Sequence, residues 1–395
     1  MTELLAVEEA QARLLALLAP LPPEQAPLAD AANRWLAQNV ASLRTQPWAD
    51  LSAMDGYALR HSELPGPWRL AGESAAGAAL PPPLPPGAAL RIFTGAPMPP
   101  GADCVLVQEE ASVADGLLCL AGEGPSGAGR NVRAKGSDFA AGQIVAHAGE
   151  RLSAGRIALL ALAGHGTAPV RRRPRVALIS TGNELVAPGM PTPPGKLPAS
   201  NALMLAALLG AVGCEVADLG ILPDDMDAIA AAIDGARGCD LLVTIGGASV
   251  GDHDLVRPAL VKAGAASDFW KVALKPGKPM MAGRIDDAVI LGLPGNPVSA
   301  FVTAILFALP AVRALAGSAS PLPDVGRAMA LVALPATGKR AEFIRAVHDS
   351  GGVRPVASQD SAATLALAEA TLLIRRPAQA PAVAPGEPVE IIGIA

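Results

Sequence analysis

Aromatic and charged side chains are both scarce in this chain: 3% of its 395 residues are aromatic and 17% are charged, while 51% are hydrophobic. Low charge beside so much apolar surface excludes a disordered chain and leaves material for several buried cores. There is no basic footprint either. The net charge of −5 argues against a general nucleic-acid binder, and the one basic cluster, RRRPR at 171–175, reads as a solvated linker before a strand. Only four cysteines occur (Cys104, Cys119, Cys214 and Cys239), none at metal-ligand spacing. Cys214 and Cys239 fall at strand starts and read as reduced, buried thiols. No GxSxG elbow supports a serine hydrolase. The N-terminus, MTELLAVEEA, lacks the positive start of a secretory signal. The longest uncharged apolar stretch, from Pro297 to Val312, contains Pro310 and is shorter than the ~18–20 residues of a membrane span. It reads as a buried helix. A soluble, cytoplasmic protein that binds neither membrane nor nucleic acid is the expectation.

What the sequence has is a repeated arrangement in its last third, where a short apolar run ends and glycines, carboxylates or lysines follow at once. RVALIS (175–180) runs into TGNE, VADLG (216–220) leads to LPDD, and LLVTIG (241–246) leads to GASVGDHD. KVAL (271–274) runs into KPGKP, and AVILGL (288–293) into PGNP. In an open α/β sheet, ligands bind outside the carboxyl ends of the strands. Five such ends carrying Gly, Asp, Glu and Lys are expected to build one site. Carboxylates suit a metal ion, and lysines with glycine turns suit phosphate or another oxyanion.

The length implies two to four domains. Leucines among Ala, Glu and Gln predict an amphipathic helix over residues 1–20, with a second around Ala29–Asn39, and ERLSAGRIALLALAGH (150–165) turns helical again. From Gln46 to about Asp138, short runs cut by Gly and Pro predict β structure. Strands and helices alternate from Arg175 to about Gly317, predicting a doubly wound, mainly parallel α/β sheet. After the linker 318–323 the texture is that of a small β barrel or sandwich. The expected layout is a discontinuous helical domain (1–45 and 139–173), an inserted β-rich domain (46–138), an α/β domain (174–317) and a C-terminal β domain (318–395).

Taken singly, the segments leave alternatives open. Thr181, Gly182 and Glu184 of TGNE form a plain turn or a tight turn exposing peptide donors and a carboxylate. In GGASVGDHD, Gly246, Gly247 and Gly251 suit approach to a phosphate, and Asp252 and Asp254 suit Mg2+. The same residues suit a helix N-terminus capped by Asp252. His253 reads as an exposed helix-start residue. KPGKP is harder to explain structurally: prolines and a glycine make a rigid loop from which Lys275 and Lys278 project. Lys271, four residues before Lys275, is expected on the same strand face. Pro294, Gly295, Asn296 and Pro297 open the long apolar helix. AMDGYALR (53–60) places Asp55 and Gly56 in a tight turn beside the chain's only tyrosine, RIFTGAPMPPGAD (91–103) puts Thr94 at a strand end, and RAKGSD adds Arg133, Lys135 and Asp138.

Together MDGYA, IFTGAPMPPGAD, STGNEL, the pair Ser200–Asn201, GGASVGDHD, KPGKP and LPGNPVSA resemble the molybdopterin molybdenumtransferases, relatives of the gephyrin E domain. The motifs stand in family order from residue 53 to 300. The resemblance implies an elongated, four-part protomer that forms a homodimer. The implied activity splits adenylylated molybdopterin, releases AMP and inserts molybdate at the dithiolene with Mg2+. It implies metal binding by some of Glu184, Asp224, Asp252 and Asp254, and charge neutralisation by Lys271, Lys275 and Lys278. Thr181, Gly182, Ser200, Asn201, Gly246, Gly247, Ser249, Gly251 and the 294–297 turn would contact substrate. Asp55, Thr94, Arg133 and Asp138 would close the pocket from the partner protomer. The implied partners include the molybdopterin adenylyltransferase and apo-molybdoenzymes. Three departures stand out: Asn183 where the family commonly has aspartate, GGASVG for GGVSVG, and SQDSAA (358–363) where a glycine-serine turn is frequent. The competing readings are the adenylyltransferase itself, a lone α/β domain, and a gephyrin-like non-catalytic scaffold.

Overall fold

The computed structural model describes residues 4–246, 255–277 and 279–394. Its centre is a six-stranded sheet with the strands in the order Glu215–Leu222, Arg175–Thr181, Leu241–Ile245, Ala288–Leu293, Pro279–Ile285 and Ala266–Lys271. The first four are mutually parallel, Pro279–Ile285 runs antiparallel, and Ala266–Lys271 turns back to the shared direction. The sheet is therefore mixed. The period-2 alternation of a strand sends successive side chains to opposite faces. Val176, Leu178, Leu241, Val243, Leu291 and Leu293 enter a core with Leu205, Leu209 and the 297–315 helix. Ala177, Ile179, Leu242 and Ile290 enter a second core with Ile229, Ile233 and Leu260. Helices thus cover both faces, which explains why these strands read as continuous apolar runs. The helical run Pro297–Leu315 is long and apolar enough to pass for a membrane span, but 83% of its most apolar window is buried. It is a core helix, with a π-helical segment at Ala304–Ala308 in its middle.

The expected helical region has a different construction. The helix Val7–Ala16 leaves it and packs, through Val7, Ala10 and Leu14, on the α/β core. No helix forms over Ala29–Asn39; only a 3-10 turn, Leu28–Asp30, occurs there. Trp35 and Leu36 instead bridge to Arg151 and Val170. The region's core, including Ala26, Leu36, Val40, Leu152, Leu160 and Val170, is built by two β ribbons and one helix. The ribbons pair Pro23–Pro27 with Thr167–Arg171 and Val40–Ala41 with Ile144–Ala146, and the helix is Ala154–Leu162. An alanine-rich stretch with no apolar stripe has little to gain as a helix, since helical stability comes mainly from packing one face.

Residues between these pieces form a second six-stranded sheet that includes Gly56–Leu59, Trp68–Ser74, Ala88–Ile92 and Cys104–Val107. The C-terminal strands Gly326–Met329, Ala341–Asp349, Gly352–Pro355, Leu372–Arg376 and Pro388–Gly393 make a third, which the Ala330–Val353 bridge closes toward a barrel. All four cysteines are free. Burial pushes the Cys104 thiol up to about 12 and those of Cys214 and Cys239 up to about 11, so all three stay protonated. Cys214 and Cys239 are half-buried rather than buried.

Gly56 is required by close approach: a Cβ there would lie 2.0 Å from the Leu106 carbonyl oxygen on the neighbouring strand. Gly56→Ala is expected to push these strands apart at a cost of about 1–3 kcal/mol. A thermal melt would show this as a lowered first transition, and an unchanged melt would contradict the geometry.

Candidate active site

The carboxyl ends of the parallel strands meet at one edge of the sheet, and a cavity of about 1390 Å³ opens there against the C-terminal barrel. Its walls include Thr181, Gly182 and Glu184 after the first strand, Asp224 after the second, and Gly246 after the third. Lys275, Pro276 and Gly277 come from the next connection, and Pro294, Gly295, Asn296 and Pro297 from the last. Ser200 and Asn201, at the start of the helix Asn201–Gly210, line it as well. Gly247, Ser249, Gly251, Asp252, His253, Asp254 and Lys278 lie outside the described residues.

Local chemistry explains how the turns hold their shapes. Gly182 lets Glu184 fold back: a Cβ at 182 would sit 2.5 Å from Glu184 Oε2. Asn183 and Asp224 grip each other reciprocally, the Asn183 amide donating to Asp224 Oδ2 at 3.0 Å and the Asp224 amide to Asn183 Oδ1 at 3.3 Å. Aspartate at 183 would offer the same acceptor to the Asp224 amide. Asn201 Nδ2 donates to Gly295 O at 2.7 Å, joining the helix start to the PGNP turn. Asn296, at the N-cap of the long helix, does not cap it with its side chain; its Nδ2 donates instead to Ser361 Oγ at 3.2 Å. That bond crosses to the barrel.

The barrel supplies a wall that the strand-end pattern does not reveal. Arg340, Glu342, Gln359, Asp360, Ser361 and Thr364 all line the cavity. Buried Arg345 holds the 358–364 loop through Asp360 O at 2.9 Å and Ala363 O at 3.0 Å. The SQDSAA segment, whose departure from the family pattern left its contribution open, is thus part of the cavity. Its only sequence signal is a turn-forming Asp–Ser pair, which loops favour generally.

One expectation about lysine is corrected. Lys271 and Lys275 do not share a strand face: the strand ends at Lys271, Val272 bridges to Leu5, and Leu274–Lys275 joins the barrel sheet beside Ala341–Glu342. Lys271 is half-buried and is not among the cavity-lining residues. Asp55, Thr94, Arg133 and Asp138 do not line this cavity: Asp55 and Thr94 adjoin strands of the inserted sheet, Arg133 sits on a short strand paired with Leu51–Ser52, and Asp138 follows in the next loop. There Asp55 Oδ1 accepts from the Thr94 amide at 2.7 Å and its hydroxyl at 2.8 Å. Those two bonds, the amide first, hold the Asp55 carboxyl below the usual carboxylate range, with a smaller contribution from Arg91. The Arg91 guanidinium lies 5.0 Å from the Tyr57 ring centre and 4.9 Å from that of Phe93. Arg133 and Asp138 are exposed.

Among the described residues, no three His, Cys, Asp or Glu side chains group as a metal site. Glu184 and Asp224 line one cavity, however. Mg2+ is often held by one or two carboxylates, with waters and substrate phosphates completing its octahedron. These hard oxygen donors fit that ion.

A doubly wound sheet with a cavity at its strand ends, walled by a β barrel and carrying a separate β insertion, defines a multidomain ligand-binding α/β and β protein. Residues 5–164 match the MoeA N-terminal region (domains I and II), 177–314 a "Probable molybdopterin binding domain", and 327–394 the MoeA C-terminal region (domain IV). A molybdopterin molybdenumtransferase of Haemophilus influenzae is 38% identical over 318 residues, covering 80% of this chain and 78% of that one. Its counterpart from Bacillus subtilis is 32% identical over 379 residues, covering 92% and 88%. The crystal structure of a molybdopterin biosynthesis moeA protein from Pyrococcus horikoshii OT3 superposes with a TM-score of 0.84 at 25% identity, covering 99% of this chain and 100% of that one. The chain belongs to the MoeA family and is a molybdopterin molybdenumtransferase, a transferase of molybdenum cofactor biosynthesis. Matches on both sides of the α/β region displace the reading as a lone adenylyltransferase domain.

The reciprocal contact generates a prediction. Asn183→Asp is expected to keep transferase activity near that of the parent. Asn183→Leu, which removes the acceptor for the Asp224 amide, should lower activity about fivefold, the equivalent of one net hydrogen bond. Parallel kinetics of the two variants check this, and equal activities would show that the contact is incidental.

Proposed function

We propose that the cavity binds adenylylated molybdopterin and molybdate, and that its residues assist cleavage of the phosphoanhydride, AMP release and molybdate insertion. The observation that carries this reading is the meeting of Glu184 and Asp224 with Lys275 and Arg340 on the walls of one cavity. Such a set offers acceptors for a divalent ion and cations for phosphate and oxyanion within one cavity. A bound Mg2+ would supply Lewis-acid stabilisation of phosphate charge, and Glu184 and Asp224, with Asp252 and Asp254 from the undescribed segment, would hold it. The peptide and hydroxyl groups of Thr181, Gly182 and Ser200 would orient the substrate beside the carboxylates. Lys275 would neutralise the oxyanion, a task suited to a compact point charge, with Lys278 expected to assist.

Asp55, Thr94, Arg133 and Asp138 all belong to the inserted region (46–138) and do not line the protomer's own cavity. This supports a homodimer in which the insertion of one protomer closes the cavity of its partner. We assign the protein to the cytoplasm, where free thiols remain reduced; the adenylyltransferase and apo-molybdoenzymes would be its upstream and downstream contacts. The cluster of carboxylates and cations favours a catalyst over a scaffold, which has no need of them.

Purified protein given adenylylated molybdopterin, Mg2+ and molybdate should release AMP and yield active cofactor. Glu184→Gln removes charge without volume and should lower both at least about 10- to 100-fold, the range for groups around a metal. AMP release at the parental rate would remove Glu184 from the metal-holding set. Lys275→Ala is expected to raise the molybdate KM with little change in melting temperature. An unchanged molybdate dependence would contradict the oxyanion role.

A further inference from the structure

One carboxylate on the cavity wall, Glu342, belongs to a barrel strand and pairs with the cavity lysine. Glu342 lies directly across from Lys275 in the parallel pairing of Ala341–Glu342 with Leu274–Lys275. Its Oε1 accepts from Lys275 Nζ at 3.3 Å. The two partners are unequal: the Glu342 side chain is 23% exposed and that of Lys275 57%. The backbone on either side of Glu342 is anchored, because the Ala341 amide donates to Ala273 O at 2.8 Å and Phe343, the next residue, is buried in the main core. The long lysine side chain is the partner free to swing. Both residues line the cavity, with Arg340 on the same wall.

Resting on the reading of Lys275 as the oxyanion-facing lysine, we propose that Glu342 is a positioning residue, a built-in counter-ion that occupies Lys275 until an oxyanion takes its place. The ammonium exchanges one anionic partner for another without leaving the cavity. Like charges a few ångströms apart repel, most strongly where water is partly excluded, so an arriving dianion meets the Glu342 carboxylate beside its target. Glu342 therefore weakens oxyanion binding. It keeps the site from filling with whatever dianion is abundant before the pterin substrate arrives with its own contacts. The barrel would thus set the affinity threshold of a site whose lysine comes from the α/β region.

The sign of the effect separates this role from a structural one. The full chain is dialysed to equilibrium against molybdate and, separately, sulfate, and kcat and the molybdate KM are measured beside the binding. Glu342→Gln keeps an acceptor for Lys275 but removes the charge; it is expected to bind both anions about three- to tenfold more tightly, with a lower molybdate KM and no rise in kcat. Glu342→Ala should tighten binding in the same sense, and Glu342→Asp, which keeps the charge, should not. Unchanged or weaker binding in both neutral variants overturns the inference, since loss of a merely structural contact would loosen the wall. Lys275→Ala serves as the control arm. If it leaves molybdate binding intact, the oxyanion reading fails and takes this inference with it; if it weakens binding while Glu342→Gln does not tighten it, this inference alone fails.

Discussion

A short crossing of the chain from one sheet to another determines what this molecule can hold. After the strand Ala266–Lys271 ends, Leu274–Lys275 pairs with the barrel strand Ala341–Asp349 before the chain returns to the α/β sheet at Pro279. Without that pairing the strand ends would face open water, where opposite charges attract only weakly. With it, the barrel becomes the second wall of a half-open cavity. The Asn296–Ser361 contact and the Val298 amide's bond to Ser361 O at 3.2 Å hold a second point of the same junction. The cavity is thus shaped at the contact between two cores, where neither sheet alone could enclose it.

The same dependence explains the distribution of apolar residues. The helix Pro297–Leu315 fills the space between the sheet, the N-terminal helix and the barrel, so it has no polar face to present and is apolar all round. Its first turn carries the PGNP motif to the cavity, and its body buries Val298, Val302, Ile305, Phe307 and Val312. A turn anchored by so much buried surface cannot move independently of the core, which keeps Asn296 within reach of Ser361.

Much of the fold was legible because strand and turn chemistry are local. Runs such as LLVTI and AVILGL, bounded by Gly, Pro and Asp, could form little other than buried strands, and both do. The stretch around Ala29–Asn39 misled because alanine and leucine favour helix in isolation, while Trp35 and Leu36 bury against distant strands. The spacing of Lys271 and Lys275 implied a shared strand face, but a break at Val272 and pairing with a barrel more than sixty residues away in sequence overrode it. No local pattern encodes such a partner.

By itself the sequence determined the strand ends, the residue types at their tips and the family to which they belong, because hydrophobic periodicity and turn residues act over a few positions. Only the tertiary structure decided that the tips share a cavity with Arg340, Glu342 and Ser361, and that Asp55 and Thr94 lie elsewhere in the chain. The reason is geometric. Which side chains meet across a cavity depends on how separately formed cores dock, and docking is governed by long-range contacts that no local spacing records.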